Sequence, residues 1–122
     1  MKSIDNWINN VNSNSRLVHK GRRINLTFTF GIGNEDYLIK ITNGVIQSIH
    51  TRLVLTESGT FRIHGQSESW DKHWLKIPPR DYHDIFAMLA KKIITIDGDL
   101  TPLIQNLQYF KDLIASNRSL DF

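Results

Sequence analysis

The chain has 122 residues, of which 22% are charged, with a net charge of +3 and no cysteine. This length is typical of one domain with one hydrophobic core, and the lack of cysteine excludes disulfides and thiolate metal sites. No stretch approaches the ~18 apolar residues of a membrane span. The N-terminal stretch is too short and too polar for a signal peptide, so we expect a single cytoplasmic domain over residues 1–122.

The positive charge is concentrated near the N-terminus. Residues 1–24 balance to +4 and the remainder to −1, and most of the excess lies in the stretch "RLVHKGRR" at residues 16–23. Such a stretch fits an arm that contacts nucleic acid or an anionic membrane surface, or a solvated loop. We favour the loop and expect no nucleic-acid partner, because the sequence has no recognised binding motif and no basic stripe along a helix. The role of residues 16–23 stays open.

The first predicted element is an amphipathic helix within residues 1–15. Ile4, Trp7, Ile8 and Val11 follow the i, i+3, i+4, i+7 spacing of one helical face, and Ser3 is the candidate N-cap. The Asn- and Ser-rich stretch "NNVNSNS" then ends the helix, because its side chains compete for backbone hydrogen bonds.

Four strands are predicted next. "RINLTFTF" alternates apolar and polar residues, which is typical of a strand with one buried face. "YLIKI", "VIQSIHTRLVL" and "FRIHG" follow, and the Asn43-Gly44 dipeptide between the first two of these is a strong hairpin signal. Short turns between consecutive strands predict a four-stranded antiparallel meander.

Two helices follow the strands. "SESWDKHWLKI" places Trp70 and Trp74 on one helical face, with Ser67 or Ser69 as N-cap. The next helix has Asp81 as its candidate N-cap. Its apolar face comprises Tyr82, Ile85, Phe86 and Leu89.

The last predicted elements are a strand, Ile93–Ile96, and a helix that begins at the Thr101-Pro102 pair. The apolar face of this helix runs from Leu103 to Ile114. The element order predicts an α+β fold with an approximately five-stranded, mostly antiparallel sheet that helices cover on one face.

The sequence offers little for catalysis. It has no nucleophile elbow and no P-loop, and its histidines form no tight pair such as H-E-x-x-H. His64 with Asp71, or His83 with Asp84, would be the base and orienting acid of a histidine-dependent enzyme, which is the less favoured alternative. We predict no catalytic residue, no metal site and no cofactor.

The second half of the chain is rich in apolar residues on helices. A stripe of this kind is typical of a packed core, although a small sheet with helices on one face can also enclose a cavity for an apolar ligand. Spacing alone leaves both interpretations open.

The succession "FTF…EDYLIKITNGVIQSI…FRIHGQSESW…IITIDGDLTPLIQNL" resembles the sterol carrier protein-2 (sterol-binding) domain family over residues 24–114. The chain resembles a free-standing, bacterial-type member. It departs from the family where many members have glycine before the last strand, because Lys92 stands there. The resemblance implies a five-stranded sheet, helices, and a tunnel between them for sterols, fatty acids, acyl-CoAs or phospholipids, with no catalytic residues.

We therefore predict binding, with transfer or presentation, of a lipid, sterol, fatty acyl or other apolar small molecule. An enzyme that acts on apolar substrates and a second copy in a homodimer are the expected partners besides the ligand. The alternative is a non-catalytic interaction or dimerisation domain with a filled pocket. The candidate pocket residues are Phe28, Phe30, Trp70, Trp74, Phe86, Leu89, Leu103, Leu107 and Phe110.

Overall fold

A computed structural model describes residues 4–51 and 59–118 of the chain. These ranges contain both helices and strands, which confirms the predicted α+β class. In chain order the elements are α1 (Ile4–Asn12), α2 (Ser15–Lys20), β1 (Asn25–Ile32), β2 (Glu35–Thr42), β3 (Val45–Thr51), β4 (Phe61–Gly65), α3 (Ser67–His73), α4 (Ile85–Ala90), β5 (Ile94–Gly98), α5 (Thr101–Gln105) and α6 (Leu107–Ala115).

The strands form one five-stranded sheet in the order β3-β2-β1-β4-β5. The β1–β2, β2–β3 and β4–β5 pairs are antiparallel, as predicted for a mostly antiparallel sheet. However, β4 pairs in parallel with β1 and not with β3, so the predicted four-stranded meander is wrong. The hairpin predicted between β2 and β3 is present. After β3, however, the chain crosses to the other side of the sheet, so β4 pairs with the edge of β1 that faces away from β2.

Gly59 explains how this connection reaches the central strand. The amide of Thr60 donates to the carbonyl of Thr27 at 2.7 Å, and Gly59 has φ of +70°. A Cβ atom at Gly59 would lie 2.3 Å from the Thr27 carbonyl oxygen, which is far inside van der Waals contact. Only glycine combines this conformation with this close approach.

All three tryptophans are buried, and their indole N–H groups each donate to a backbone carbonyl. Trp7 Nε1 donates to the Leu113 carbonyl at 2.8 Å and Trp74 Nε1 to the Ile114 carbonyl at 2.8 Å, while Trp70 Nε1 donates to Gly31 of β1 at 2.9 Å. The first two acceptors belong to the last turn of α6, where the Leu113 carbonyl also accepts the amide of Ser116 at 3.3 Å. These bonds therefore join α1 and α3 to the end of α6.

The structure corrects several predicted helix boundaries. We expected residues 16–23 to form a loop, but residues 16–20 belong to helix α2. Asn14 is the N-cap of this helix, and its Oδ1 accepts the amide of Leu17 at 3.2 Å. In α3, Gln66 occupies the N-cap position and neither Ser67 nor Ser69 does. Ser3, the predicted cap of α1, lies outside the described residues.

Helix α4 begins three residues later than predicted. Asp84, not Asp81, is its N-cap, and Asp84 Oδ1 accepts the amides of Phe86 at 2.8 Å and Ala87 at 2.9 Å. Asp81 has φ of +73°, which is incompatible with a helix start. Residues 78–84 therefore form a loop.

The predicted last helix is two helices. Asn106, with φ of −124° and ψ of 40°, interrupts it between α5 and α6. At its start, Leu100 occupies the N-cap position without a side-chain bond. The amide of Thr101, the predicted cap, is bound instead by Asp99 Oδ1 at 3.1 Å.

Lys92 adopts the conformation that glycine favours, with φ of +62°. It follows α4, where the amide of Ile93 donates to the Met88 carbonyl at 2.9 Å and the amide of Lys92 to the Leu89 carbonyl at 3.0 Å. This pair of bonds is a Schellman motif, whose left-handed position is usually glycine. The lysine therefore keeps the glycine backbone geometry at a cost of roughly 1–2 kcal/mol.

We predict that Lys92→Gly raises the free energy of unfolding by about 0.5–1 kcal/mol, because relief of the left-handed strain exceeds the added entropy of the unfolded chain. Lys91→Gly is the matched control, since Lys91 is exposed, carries the same charge and has φ of −91°. This control should lose about 0.5–1 kcal/mol. Urea unfolding measures both changes, and equal losses in the two variants would contradict the assignment.

Candidate ligand-binding site

The structure places most of the predicted pocket residues in the core between the sheet and the helices. Six of the nine are at most 2% exposed, and all six belong to one hydrophobic core. They are Phe28, Phe30, Trp70, Trp74, Leu103 and Phe110.

These side chains belong to two adjoining groups. The tryptophan cluster consists of Trp7, Trp70 and Trp74 around Phe30, with ring centroids 4.5–6.0 Å from that of Phe30. The phenylalanine cluster consists of Phe28, Phe61 and Phe110, whose centroids lie 5.0–5.8 Å apart. Only the tryptophan cluster contains polar atoms that need hydrogen bonds, and those atoms are bound. The phenylalanine rings are held by packing, and Phe110 also contacts the Tyr109 ring, whose hydroxyl donates to the Gly44 carbonyl at 2.8 Å.

The remaining three predicted residues lie farther out. Phe86 and Leu89 are half-buried and pack against the edge of the core, whereas Leu107 is 40% exposed. The helical wheel placed Leu107 in line with Leu103 and Phe110 because it assumed one continuous helix. The break at Asn106 shifts the faces of α5 and α6 relative to each other, so Leu107 reaches the surface.

A surface cleft of about 320 Å³ opens beside the phenylalanine cluster. Residues from the start of β1, the approach to β4, and α5 line it. They are Arg23, Ile24, Asn25, Leu26, Thr60, Pro102 and Asn106.

The cleft has an apolar wall and a polar side, and the polar side is the more exposed of the two. Ile24, Leu26 and Pro102 form the apolar wall, whereas Arg23, Asn25, Thr60 and Asn106 are polar, and the exposed Arg23 adds a guanidinium group. Leu26 lies two residues before Phe28, on the same face of β1. None of the three phenylalanines lines the cleft, but its residues Leu26 and Thr60 are close in sequence to Phe28 and Phe61.

Sequence reasoning did not identify this cleft. Arg23 was assigned to a solvated basic stretch, and Leu26 to the buried face of a strand. Nothing in the local sequence indicates that α5 stops short of covering Leu26, since that gap depends on the break at Asn106.

The two histidines considered for catalysis differ in their contacts, because His83 lies next to its proposed acid, whereas His64 contacts a backbone carbonyl. His64 Nε2 lies 2.8 Å from the carbonyl oxygen of Gly33, so this contact does not involve Asp71. His83 Nε2 lies 3.4 Å from Asp84 Oδ2, but Asp84 caps α4 and also lies 3.8 Å from Lys111 Nζ. In residues 4–51 and 59–118, no three histidine or acidic side chains are grouped closely enough to hold a metal ion.

His73 is the one described histidine that is fully buried. Its Nδ1 bonds to the carbonyl of Tyr82 at 2.8 Å, while its Nε2 is buried without a hydrogen-bond partner. Burial lowers the pKa of His73 from 6.5 to about 4, and the nearby Arg118 charge acts in the same direction. His73 is therefore neutral at physiological pH.

We predict that His73 makes the protein less stable in mild acid. Between about pH 6.5 and 4 the unfolded chain protonates His73 and the folded chain does not, so the free energy of unfolding falls as the pH falls. From pH 7 to pH 5 this histidine should account for a loss of about 2 kcal/mol.

Urea unfolding at both pH values measures this loss. His73→Gln should lose less stability on acidification than the parent, and His50→Gln, at an exposed site on β3, should lose as much as the parent. If His73→Gln retains the full pH dependence, His73 is not the group responsible.

No protein-family model matches the chain. No curated protein matches its sequence either. Solved structures do match. The crystal structure of sterol carrier protein 2 has a TM-score of 0.75 at 9% identity, over 96% of this chain and 94% of that chain. The solution structure of a conserved hypothetical protein from Thermus thermophilus, described as possibly a sterol carrier protein, has a TM-score of 0.68 at 8% identity, over 98% of this chain and 90% of that chain.

A third match is to part of a larger protein. The stereoselective inverting sec-alkylsulfatase Pisa1 from Pseudomonas sp. has a TM-score of 0.54 at 11% identity, over 85% of this chain and 14% of that chain. At these identities the likeness establishes the fold. The chain has the sterol carrier protein 2 fold, as the sequence resemblance predicted.

Proposed function

We propose that this protein binds an amphiphilic small molecule with a long apolar chain, such as a fatty acid or another acyl lipid, and carries or presents it without chemical change. The observation that supports this proposal is the cleft whose apolar wall of Ile24, Leu26 and Pro102 lies beside Arg23. The sterol carrier protein 2 fold, whose named representatives are sterol carriers, supports the same class of ligand.

The chemistry of the cleft matches the two ends of such a ligand. The apolar wall would accept methylene groups, each worth about 0.8 kcal/mol when removed from water. A guanidinium group binds a carboxylate or phosphate through charge-assisted hydrogen bonds. Two other polar side chains of the cleft already make hydrogen bonds, since Asn25 Oδ1 accepts the Asn43 amide and Asn106 Nδ2 donates to the Pro102 carbonyl.

The buried candidates then have different roles in this proposal. Phe28 and Phe110, together with Leu103, form the deep end, where the chain of a long ligand would displace packed rings. Trp70 and Trp74 maintain the structure, because their indole N–H groups are committed to backbone carbonyls. Phe86, Leu89 and Leu107 are not among the residues that line the cleft.

Presentation to a partner is the second part of the proposal. Ile104 is 64% exposed and Leu107 40% exposed, and both are close in sequence to Pro102 and Asn106 of the cleft. An apolar rim of this kind would suit an enzyme that takes the ligand from the cleft. The partial likeness to a sec-alkylsulfatase is consistent with this fold occurring together with an enzyme.

We predict that Arg23→Gln weakens the binding of a fluorescent fatty acid by about five- to tenfold, because one charged hydrogen bond contributes roughly 1–1.5 kcal/mol at a partly exposed site. Arg22→Gln is the matched control, since Arg22 is the exposed neighbour whose Nη1 donates to the His19 carbonyl. The control should bind as the parent does. Binding of the uncharged methyl ester should not change in either variant.

We also predict that Leu26→Trp reduces uptake of both the acid and the ester, because the larger side chain fills the cleft. The unfolding free energy should stay within about 1 kcal/mol of the parent, since Leu26 is only partly buried. A parent protein that takes up neither probe would contradict the proposed function. Full uptake by Leu26→Trp would place the ligand elsewhere.

A further inference from the structure

Arg23, the cation proposed to bind the ligand in the cleft, lies in a tight turn between α2 and β1. The amide of Ile24 donates to the carbonyl of Gly21 at 2.8 Å. Arg22 and Arg23 therefore occupy the two central positions of this turn. The Arg22 side chain is engaged with α2, because its Nη1 donates to the His19 carbonyl at 2.9 Å. Arg23 is the one of the two that lines the cleft, and its position depends on what holds the ends of the turn.

Both ends of the turn contact the β2–β3 hairpin at Gly44. The amide of Gly44 donates to the Ile24 carbonyl at 3.4 Å. Gly44 has φ of +85°, and a Cβ atom there would lie 2.8 Å from the carbonyl carbon of Gly21 and 2.9 Å from its oxygen. The two backbones can approach this closely because Gly44 has no side chain. The hairpin therefore supports the start and the end of the turn.

Tyr109 of α6 joins the two glycines. Its ring packs so closely on Gly21 that a Cβ atom at Gly21 would lie 2.2 Å from Tyr109 Cε1, and its hydroxyl donates to the Gly44 carbonyl at 2.8 Å. The side chain is 1% exposed, and burial raises the pKa of Tyr109. The hydroxyl therefore stays protonated at physiological pH and remains a hydrogen-bond donor. One buried side chain thus connects the Arg23 turn to the hairpin that supports it.

We infer that Tyr109 is a positioning residue for Arg23, and that it thereby makes the cleft prefer an anionic ligand to the uncharged ester of that ligand. Tyr109 does not line the cleft, so it acts through the turn. A charge-assisted hydrogen bond depends on the distance and angle between donor and acceptor, and a guanidinium group on a displaced turn loses part of its contribution. This inference rests on the proposed function and extends it by naming what gives the same cleft its selectivity for a carboxylate.

Tyr109→Phe tests the inference, because it removes the hydroxyl and keeps the ring on Gly21. The probes are a fluorescent fatty acid and its methyl ester, and the measured quantity is the ratio of their dissociation constants. Tyr109→Phe should lower the preference for the acid by about threefold, as expected when one charged hydrogen bond is weakened but not lost. Binding of the ester should not change. A purely structural role of Tyr109 predicts instead that both probes bind more weakly.

Tyr37→Phe is the matched control. Tyr37 is also a buried tyrosine with a bound hydroxyl, which donates to Glu35 Oε2 at 2.5 Å, and it does not line the cleft. This variant should keep the acid preference of the parent.

A double variant shows whether Tyr109 acts through Arg23. When Arg23→Gln has already removed the guanidinium group, Tyr109→Phe has nothing left to displace. The double variant should therefore have the same acid preference as Arg23→Gln alone, whereas independent effects would multiply. Multiplied losses would contradict the inference.

Gly21→Ala approaches the same contact from the other side. Gly21 has φ of −99°, which alanine adopts without strain, but the added methyl group must displace the Tyr109 ring. This variant should also lose acid preference and keep ester binding, and urea unfolding identifies which variants are folded. The inference is wrong if a folded Tyr109→Phe or Gly21→Ala variant keeps the full acid preference while the parent binds both probes. A parent that binds neither probe overturns the proposed function, and this inference with it.

Discussion

The structure depends on the need to satisfy indole N–H groups inside an apolar core. A buried N–H without an acceptor costs roughly 1–3 kcal/mol, so each tryptophan must lie where a carbonyl can accept its N–H. The end of α6 supplies two such carbonyls, at Leu113 and Ile114, and these bind Trp7 and Trp74. One requirement thus determines where α1, α3 and α6 meet, and the Phe30 ring fills the space between them.

The same requirement divides the core into a part that contains hydrogen bonds and a part that does not. Moving a tryptophan ring breaks a hydrogen bond, whereas the rings of the phenylalanine cluster are held by packing. The cleft is lined by the partly buried Leu26 and by Pro102 and Asn106 near the end of α5. Under the proposed function, a ligand that enters there leaves the hydrogen bonds of the tryptophan cluster intact.

Local patterns in the sequence predicted what depends on local spacing. The alternation of Phe28 and Phe30 indicated a strand with one buried face, and the spacing of Trp7 and Val11 indicated a helix. The family resemblance predicted the overall fold, and Lys92 at a glycine position has the backbone conformation of glycine. By contrast, the parallel pairing of β4 with β1 depends on a long-range return of the chain, which no hairpin signal marks. Likewise, the break at Asn106 changes the orientation of α6 relative to α5, so Leu107 is exposed although a continuous helix would place it on the buried face. The sequence did not reveal this break, and therefore it did not reveal the cleft beside Asn106.

The bond from Trp7 to Leu113 spans 106 residues of sequence, and this separation has a consequence for biosynthesis. A nascent chain emerges from the ribosome N-terminus first, so α1 leaves the exit tunnel long before its acceptor carbonyl is translated. Before that point α1 can already contact β3, since Asn12 exchanges two hydrogen bonds with the backbone of Ile46, but the indole N–H of Trp7 lacks the carbonyl that it binds in the folded protein. The native environment of Trp7 is therefore completed only once α6 has been synthesised and has folded.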